Sequence, residues 1–377
     1  MLKFYDPVIQ KWRDIEIDTP ISKDGLVACP AFFDMHTHVR LCGQEDYDTL
    51  ERAAIAGGFG AVLIQPNTKP PIETQDVFKM HLDLAKDKII DYYWTCSFFG
   101  ELEPDGEKIL CYSNDGIEYD TQKILKAFRY KKPNLLLDHS QFYEVGGVFY
   151  EGTSLDIQKR PVNSEAISIF RNVMFGLEYG FRKFHIQHVT TKSSIETIQY
   201  LKSYAQISCE VTPHHLFFTM EDIRNTNFKV NPPFGTEKDR QALLNAVRKN
   251  IIDVFATDHA PHDEKSSDFE KAPYGTSGIE TAFSAFYTAT GDLEKTIEKM
   301  TIAPKKVLGL GAVFDTDDIT VIDPKAEYTV DVKIFHSKGK NSVFDGIKLK
   351  GKVIGVKLKG KWVYWDGEFL FDSQKNL

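Results

Sequence analysis

Eight short apolar runs, most of them followed by a polar loop and then a helical pattern, set the strongest limit on what this chain can fold into. The runs lie at 26–33, 61–66, 92–98, 109–113, 134–137, 183–187, 206–211 and 252–257. Between them stand amphipathic patterns over Tyr47 to Gly57, Thr74 to Asp87, Tyr119 to Tyr130, Asn163 to Tyr179, Ser193 to Tyr204 and Asp239 to Asn250. The first of these carries apolar residues at helical spacing and stops at a glycine. Strands that alternate with helices build a parallel sheet, and eight such units close into a (β/α)8 barrel. One connection is too short for the pattern. Only about ten residues, Phe99 to Lys108, separate the third run from the fourth. A parallel crossover usually needs a dozen or more, generally with a helix. The helix there is expected to be absent or one turn long, leaving a gap in the outer ring.

After Leu310 the helical pattern gives way to strand-like segments: Ile319 to Ile322, Thr329 to Val332, Lys352 to Val356 and Trp362 to Trp365. The N-terminal stretch has fragments of the same kind, such as Asp14 to Asp18. Isolated short strands need partners, so both ends of the chain are expected to share one small β domain. The expected division is 1–27 with 311–377 for that domain, and 28–310 for the barrel. A length of 377 residues suits one large and one small unit. The net charge of −8 favours neither nucleic acid nor an anionic membrane. No apolar run approaches the roughly 18 residues needed to span a bilayer. The first residues carry no signal-peptide core. Cys29, Cys42, Cys96, Cys111 and Cys209 are widely spaced and odd in number, which fits free thiols in a reducing cytoplasm.

A barrel of this kind carries its functional residues just after the strand ends, on one face. His36, His38 and Arg40 follow the first run, and Asn67 the second. Asp115 follows the fourth, His139 closes the fifth and His188 closes the sixth. Thr212-Pro213-His214-His215 follows the seventh, and Asp258 begins Asp258-His259-Ala260-Pro261-His262 after the eighth. Of eleven histidines only His81 and His336 fall clearly elsewhere. His36 and His38, one residue apart just beyond an extended strand, share a face and can reach one ion. Imidazole suits zinc and similar metals. Arg40 can hold a carboxylate bidentately.

Each member also has a plainer reading. His139 would serve as a satisfied core histidine. Asp115, in Asn-Asp-Gly, would serve as a turn residue, and Asp258 as a cap. His185 and His188 point to opposite faces, so only one of them can be a ligand. His214 and His215 read as structural. Taken together, four histidines and two carboxylates suit two metal ions bridged by a carboxylate and a hydroxide. That arrangement lowers the pKa of a shared water and hydrolyses amides.

These motifs resemble one family across nearly the whole chain. Phe33-Asp34-Met35-His36-Thr37-His38-Val39-Arg40, Pro66-Asn67-Thr68, Glu210-Val211-Thr212-Pro213-His214-His215, Asn231-Pro232-Pro233, Ala256-Thr257-Asp258-His259-Ala260-Pro261-His262 and the run through Gly275 are similar to class I dihydroorotases of the amidohydrolase superfamily. The resemblance implies a (β/α)8 barrel that interconverts N-carbamoyl-L-aspartate and L-dihydroorotate in pyrimidine synthesis. It implies two zinc ions, with His36, His38 and Asp258 on one and His139 and His188 on the other. Asp115 would bridge them, since no lysine stands where the superfamily's carbamate bridge is usually found. The bridging hydroxide would be the nucleophile and Asp258 the proton shuttle. Arg40, Asn67 and His262 match contacts to the substrate carboxylate, and Asn231 and Gly275 match positions near the ring. Asn114 departs from the family's Asp-Asp-Gly, and both spacings around Asp115 are short. The loop from Ser140 to Pro161 yields no expectation. A homodimer and association with aspartate transcarbamoylase are compatible with the resemblance. The alternatives are a hydantoinase or allantoinase, which typically carries the bridging lysine and need not keep the arginine, or an inactive structural partner of aspartate transcarbamoylase.

Overall fold

A computed structural model describes residues 1–20, 24–41, 44–311 and 316–371; Cys42 lies outside them. Eight parallel strands form the central sheet: β1 (Phe32–Thr37), β2 (Phe59–Ile64), β3 (Asp91–Ser97), β4 (Ile109–Ser113), β5 (Leu136–Asp138), β6 (Lys183–Ile186), β7 (Gln206–Val211) and β8 (Val254–Phe255). Each pairs with its neighbour in sequence, in parallel. A parallel bridge between Thr37 and His259, with the His38 N–H donating to His259 O at 3.0 Å, brings the two edges together. The result is the eight-stranded (β/α)8 architecture expected from the alternation.

The helices lie where the patterns put them: Tyr47–Ala56, Gln75–Ala85, Thr121–Tyr130, Ser164–Glu178, Lys192–Leu201 and Glu237–Arg248. The first is fixed by a capping box, in which Asp46 accepts from the Thr49 N–H and the Thr49 side chain bonds back. Between β3 and β4 the described residues contain no helix. Phe98 occupies that side instead, its ring 4.9 Å from Phe128, 5.4 Å from Tyr112 and 5.7 Å from Phe181. Three helices lie outside the patterns read from the sequence: Ala282–Thr290, Leu293–Met300 and Ile302–Val307. Ala282–Thr290 lacks a charged face because it is wedged between the barrel and the second sheet. Phe286 stacks on Phe255 of β8 at 4.1 Å, and Ser284 donates to Gly351 O.

Phe33, Met35, Leu63, Cys111, Leu137 and Val254 form one apolar cluster inside the barrel. Polar side chains are thereby concentrated toward the C-terminal strand ends.

The second sheet has seven strands drawn from both ends of the chain: Leu2–Asp6, Lys11–Ile15, Val27–Pro30, Ile319–Thr329, Lys348–Leu358, Lys361–Trp365 and Glu368–Phe369. Two expectations are corrected here. The run 26–33 is two strands, not one. Val27–Pro30 pairs with Leu2–Asp6 and Ile319–Thr329, and only from Phe32 does the chain enter the barrel. Pro30 has no N–H for a ladder, so it marks the change of partner; an apolar run alone does not reveal it. The segment Thr329 to Val332 is not a separate strand. Thr329 ends a strand and Val332–Ile334 is a 3-10 turn, capped by Asp331 accepting from the Lys333 N–H at 3.0 Å.

Candidate active site

His36 lies within β1 and His38 one residue beyond it, so the pair straddles the strand end instead of following it. The ladder to β2 shifts register between Asp34 and Thr37, and the two rings stand 5.3 Å apart. Asp34 anchors the bend. It accepts from the His36 N–H at 3.2 Å, from the Thr257 N–H at 3.1 Å and from the Thr257 hydroxyl. Burial pushes its carboxyl up to about 7 against those three bonds.

Asp115, two residues after β4, reaches both halves of the site. Its Oδ2 lies 2.6 Å from His36 Nε2 and 3.6 Å from His38 Nε2, and its Oδ1 lies 3.2 Å from His139 Nδ1. His139 Nδ1 in turn faces His188 Nε2 at 2.9 Å, the rings perpendicular. Asp258 Oδ1 lies 3.0 Å from His38 Nε2 and 3.4 Å from His36 Nε2. Potential ligand atoms fall into two compact buried groups, His36–His38–Asp115 and Asp115–His139–His188, with Asp115 in both. Asp258 and His188 hold φ of +49° and +31°. Side chains other than glycine avoid that region, and such strain concentrates at functional sites.

The electrostatics are those of a site short of positive charge. Burial alone would lower the pKa of His36, but Glu210, Asp258 and Asp115 outweigh it and hold the imidazole well above its ordinary range. Burial would raise Asp115, yet His38, His36 and His139 hold it well below the usual carboxylate range. His188 is kept low by burial and by the neighbouring His139 and His36. Closely set imidazole nitrogens and carboxylate oxygens, with His188 Nδ1 left without a hydrogen-bond partner, suit divalent metal ions of the zinc type.

The plainer readings sort themselves by geometry. His185 turns away, bonding Ser208 Oγ at 2.8 Å and Glu210 Oε2 at 3.0 Å, so only His188 of that pair joins the cluster. His215 bonds Thr212 and Pro232 O, and neither it nor His214 belongs to the two groups. His81 bonds Tyr47, and His336 packs on Phe369, far from the mouth. Asn114 ties β4 to β5, donating to Asp138 at 2.6 Å and accepting from the His139 N–H at 2.7 Å.

A cavity of about 300 Å³ opens beside these groups. Arg40, Asn67, Asn231 and Gly275 line it together with His38, Asp115, His139 and Asp258. Asn67 Oδ1 also accepts from His38 Nδ1 at 2.8 Å. Arg40 Nε is enclosed and has no hydrogen-bond partner among the described residues. His262 stands behind the wall, its ring nitrogens 2.8 Å from Tyr274 O and 3.0 Å from Gln44 Oε1. Burial, then the charge of Arg40, brings its pKa down to about 4.

Sequence reasoning missed several participants. Glu210 of β7 lies 2.5 Å from His36 Nδ1 and 3.0 Å from His185 Nε2. Burial opposes its ionisation, but His36 and His185 bring its pKa down to about 2. Gln141, Tyr143 and Tyr274 line the cavity. The one signal for Glu210 was an acid within a short β strand, Gln206–Val211, that leads to the mouth.

No family model matches the chain. It is 55% identical over 375 residues to a putative dihydroorotase of Thermotoga maritima, covering all of both chains. It is 35% identical to a dihydroorotase of Caldanaerobacter subterraneus subsp. tengcongensis, covering 94% of this chain and 90% of that one. A solved D-hydantoinase (dihydropyrimidinase) from Thermus sp. superposes with a TM-score of 0.78 at 19% identity, over 92% of this chain and 87% of that one, which speaks to the fold.

Proposed function

The chain belongs to the dihydroorotase family of the amidohydrolase superfamily, and from that premise we propose the following reading of its site. The protein is a cyclic amidohydrolase, a dihydroorotase. It interconverts N-carbamoyl-L-aspartate and L-dihydroorotate in pyrimidine biosynthesis. His36, His38 and Asp258 would hold one zinc ion and His139 and His188 a second, with Asp115, which belongs to both groups of potential ligands, serving both. When bound, such a pair of cations lowers the pKa of a shared water and polarises a carbonyl. The chain's own groups do the rest. Asp258 takes the proton released by the attacking water and returns it to the leaving ring nitrogen. Arg40 and Asn67 hold the substrate carboxylate, with His262 bracing Tyr274 beside them. Asn231 and Gly275 face the ring. Residues 1–27 with 311–377 act as a small β unit beside the barrel of 28–310, whose first residues still pair with it.

Arg40 carries the choice of substrate. An enclosed guanidinium nitrogen without a partner among the described residues, at the cavity wall, fits a substrate that brings its own carboxylate. A hydantoinase needs no such clamp, and an inactive partner need not keep all six candidate ligands. We propose a cytoplasmic location, which the free buried thiols of Cys29, Cys96, Cys111 and Cys209 support. A homodimer, or association with aspartate transcarbamoylase, is compatible with this role.

Metal analysis coupled to a dihydroorotate assay tests the reading. The purified protein is expected to contain about two zinc ions per chain, the number a carboxylate-bridged pair requires, and to hydrolyse L-dihydroorotate. Zinc-replete protein without turnover would point to the structural-partner role. Asp258→Ala is expected to abolish turnover; near-normal rates would remove Asp258 from proton transfer.

A further inference from the structure

The loop between β5 and the helix Ser164–Glu178 delivers one charged group to the back of the cavity. Within it, Phe149–Tyr150 and Lys159–Arg160 form a short parallel ladder. Gly147, at φ +90°, lets the backbone of Lys159 and Arg160 pass so close that a Cβ would lie 2.4 Å from Lys159 C. Arg160 is thereby turned inward and is only 5% exposed. Its Nε donates to Gly147 O at 2.8 Å and its Nη1 to Asn231 Oδ1 at 3.1 Å, and it also bonds the Tyr274 side chain. All three partners are neutral. A buried guanidinium without a carboxylate is costly, so a task only a cation or a donor-only group can perform is called for.

Directionality supplies that task. A guanidinium has N–H donors and no acceptor. The face of the Asn231 amide turned to Arg160 must therefore be Oδ1, which sends Nδ2 the other way. Nδ2 donates to Gln141 Oε1 at 2.5 Å and lies 3.1 Å from His139 Nε2. The same Gln141 oxygen lies 3.1 Å from His139 Nε2. Were the Asn231 amide reversed, its oxygen would confront Gln141 Oε1, acceptor against acceptor.

We propose that Arg160 is a positioning residue: by presenting only donors to Asn231, it fixes that amide with its NH2 turned to the cavity side, where it meets a carbonyl oxygen of the cyclic amide substrate. The proposal rests on the functional reading above for its substrate, but not for the contact itself. It is tested on full-length, zinc-loaded protein with Arg160→Met, Asn231→Ala and the double variant. Arg160→Met is expected to raise KM for L-dihydroorotate about tenfold, a typical loss for one charged hydrogen bond, with kcat and zinc content nearly unchanged. In the Asn231→Ala background the same change is expected to add less than about twofold, because its target is gone. An unchanged KM, or full additivity with Asn231→Ala, would overturn the proposal. If Arg160→Met does not fold, Arg160→Lys, which keeps the charge and loses the fork, serves in the same cycle. Denaturant unfolding of the four proteins is read in parallel. If the wild type fails to turn over L-dihydroorotate, the functional reading falls, and the unfolding cycle decides: coupling between positions 160 and 231 supports the contact, and additivity removes it.

Discussion

Glu210 offers the most exacting test of how the site is held together. Its two oxygens serve two imidazoles, Oε1 to His36 Nδ1 at 2.5 Å and Oε2 to His185 Nε2 at 3.0 Å, and all three side chains are fully buried. By accepting from Nδ1, Glu210 fixes the ring so that Nε2 faces Asp115 and would offer its lone pair to a metal ion bound there. Glu210→Gln keeps one acceptor and makes the other position a donor. His185 can adapt by reversing its tautomer, since Ser208 Oγ on its far side can accept as well as donate. His36 then keeps a neutral partner in place of a charged one. A charged hydrogen bond contributes about 1.5–3 kcal/mol and a neutral one about 0.5–1.5, so the loss is about 1–1.5 kcal/mol, or roughly tenfold in zinc affinity. Glu210→Ala removes both acceptors and leaves the buried His36 N–H only the neutral Gln187 amide, 3.2 Å away, for a loss of up to roughly 100-fold in total. Zinc affinity is measured by competition with a chromogenic chelator at one pH, with melting in chelator as the control for folding. A folded Glu210→Ala protein that binds zinc within about twofold of wild type would refute the orienting role.

Arg40→Ala is expected to raise KM for L-dihydroorotate by about 10- to 150-fold, from losing one charged hydrogen-bonded pair, with a smaller effect on kcat; steady-state kinetics decide it. Glu280, whose carboxylate accepts from the His336 and Ser337 N–H groups, has its pKa raised to about 8 by burial, with Lys340 opposing and Glu45 reinforcing. A raised carboxyl pKa stabilises the fold below the unfolded value near 4.5, and that stability is lost as pH climbs through about 8. The gap corresponds to at most about 5 kcal/mol, and partial exposure brings the expectation nearer ~2. Glu280→Gln should therefore flatten the decline in melting temperature between about pH 5 and 9. Gly116→Ala sets a Cβ 1.9 Å from Asn67 Nδ2 at a φ of +63°. It is expected to displace the partner of His38 and lower turnover by roughly tenfold or more, read together with zinc content.

Much of the site was legible because the barrel turns position in sequence into position in space. Once the strands are counted, the residue after each C-terminal end is a residue at the mouth, so His36, Asp115, His139, His188 and Asp258 could be gathered from across more than 200 positions. The missing helix before β4 was legible from chain length alone. What stayed hidden depended on side chains meeting sideways. Glu210 meets His36 across 174 positions, and nothing in Gln206 to Val211 distinguishes an acid that orients a ligand from one that lines a strand. Arg160 sits in a loop with no periodicity, and only the closeness of Gly147 to the backbone of Lys159 turns it inward. The switch of sheets near Ala31 was invisible because both sheets want the same apolar residues.

Charge balance ties these groups to a single kind of substrate. Asp115, Asp258 and Glu210 place three carboxylates around His36; on the proposed reading, two divalent cations would overcompensate them by about one charge and make the loaded centre mildly positive. Arg40 and Arg160 add two more positive charges. The partners of Arg160 are neutral, and Arg40 keeps one nitrogen unpaired. A neutral cyclic amide would leave that positive field unanswered in a desolvated cavity. An amide carrying a carboxylate answers it, and its open-chain form, with two carboxylates, answers it better. On the proposed reading, the same cations that make the empty cavity costly would supply the preference for dihydroorotate over neutral hydantoin-like rings, which differ from it in charge.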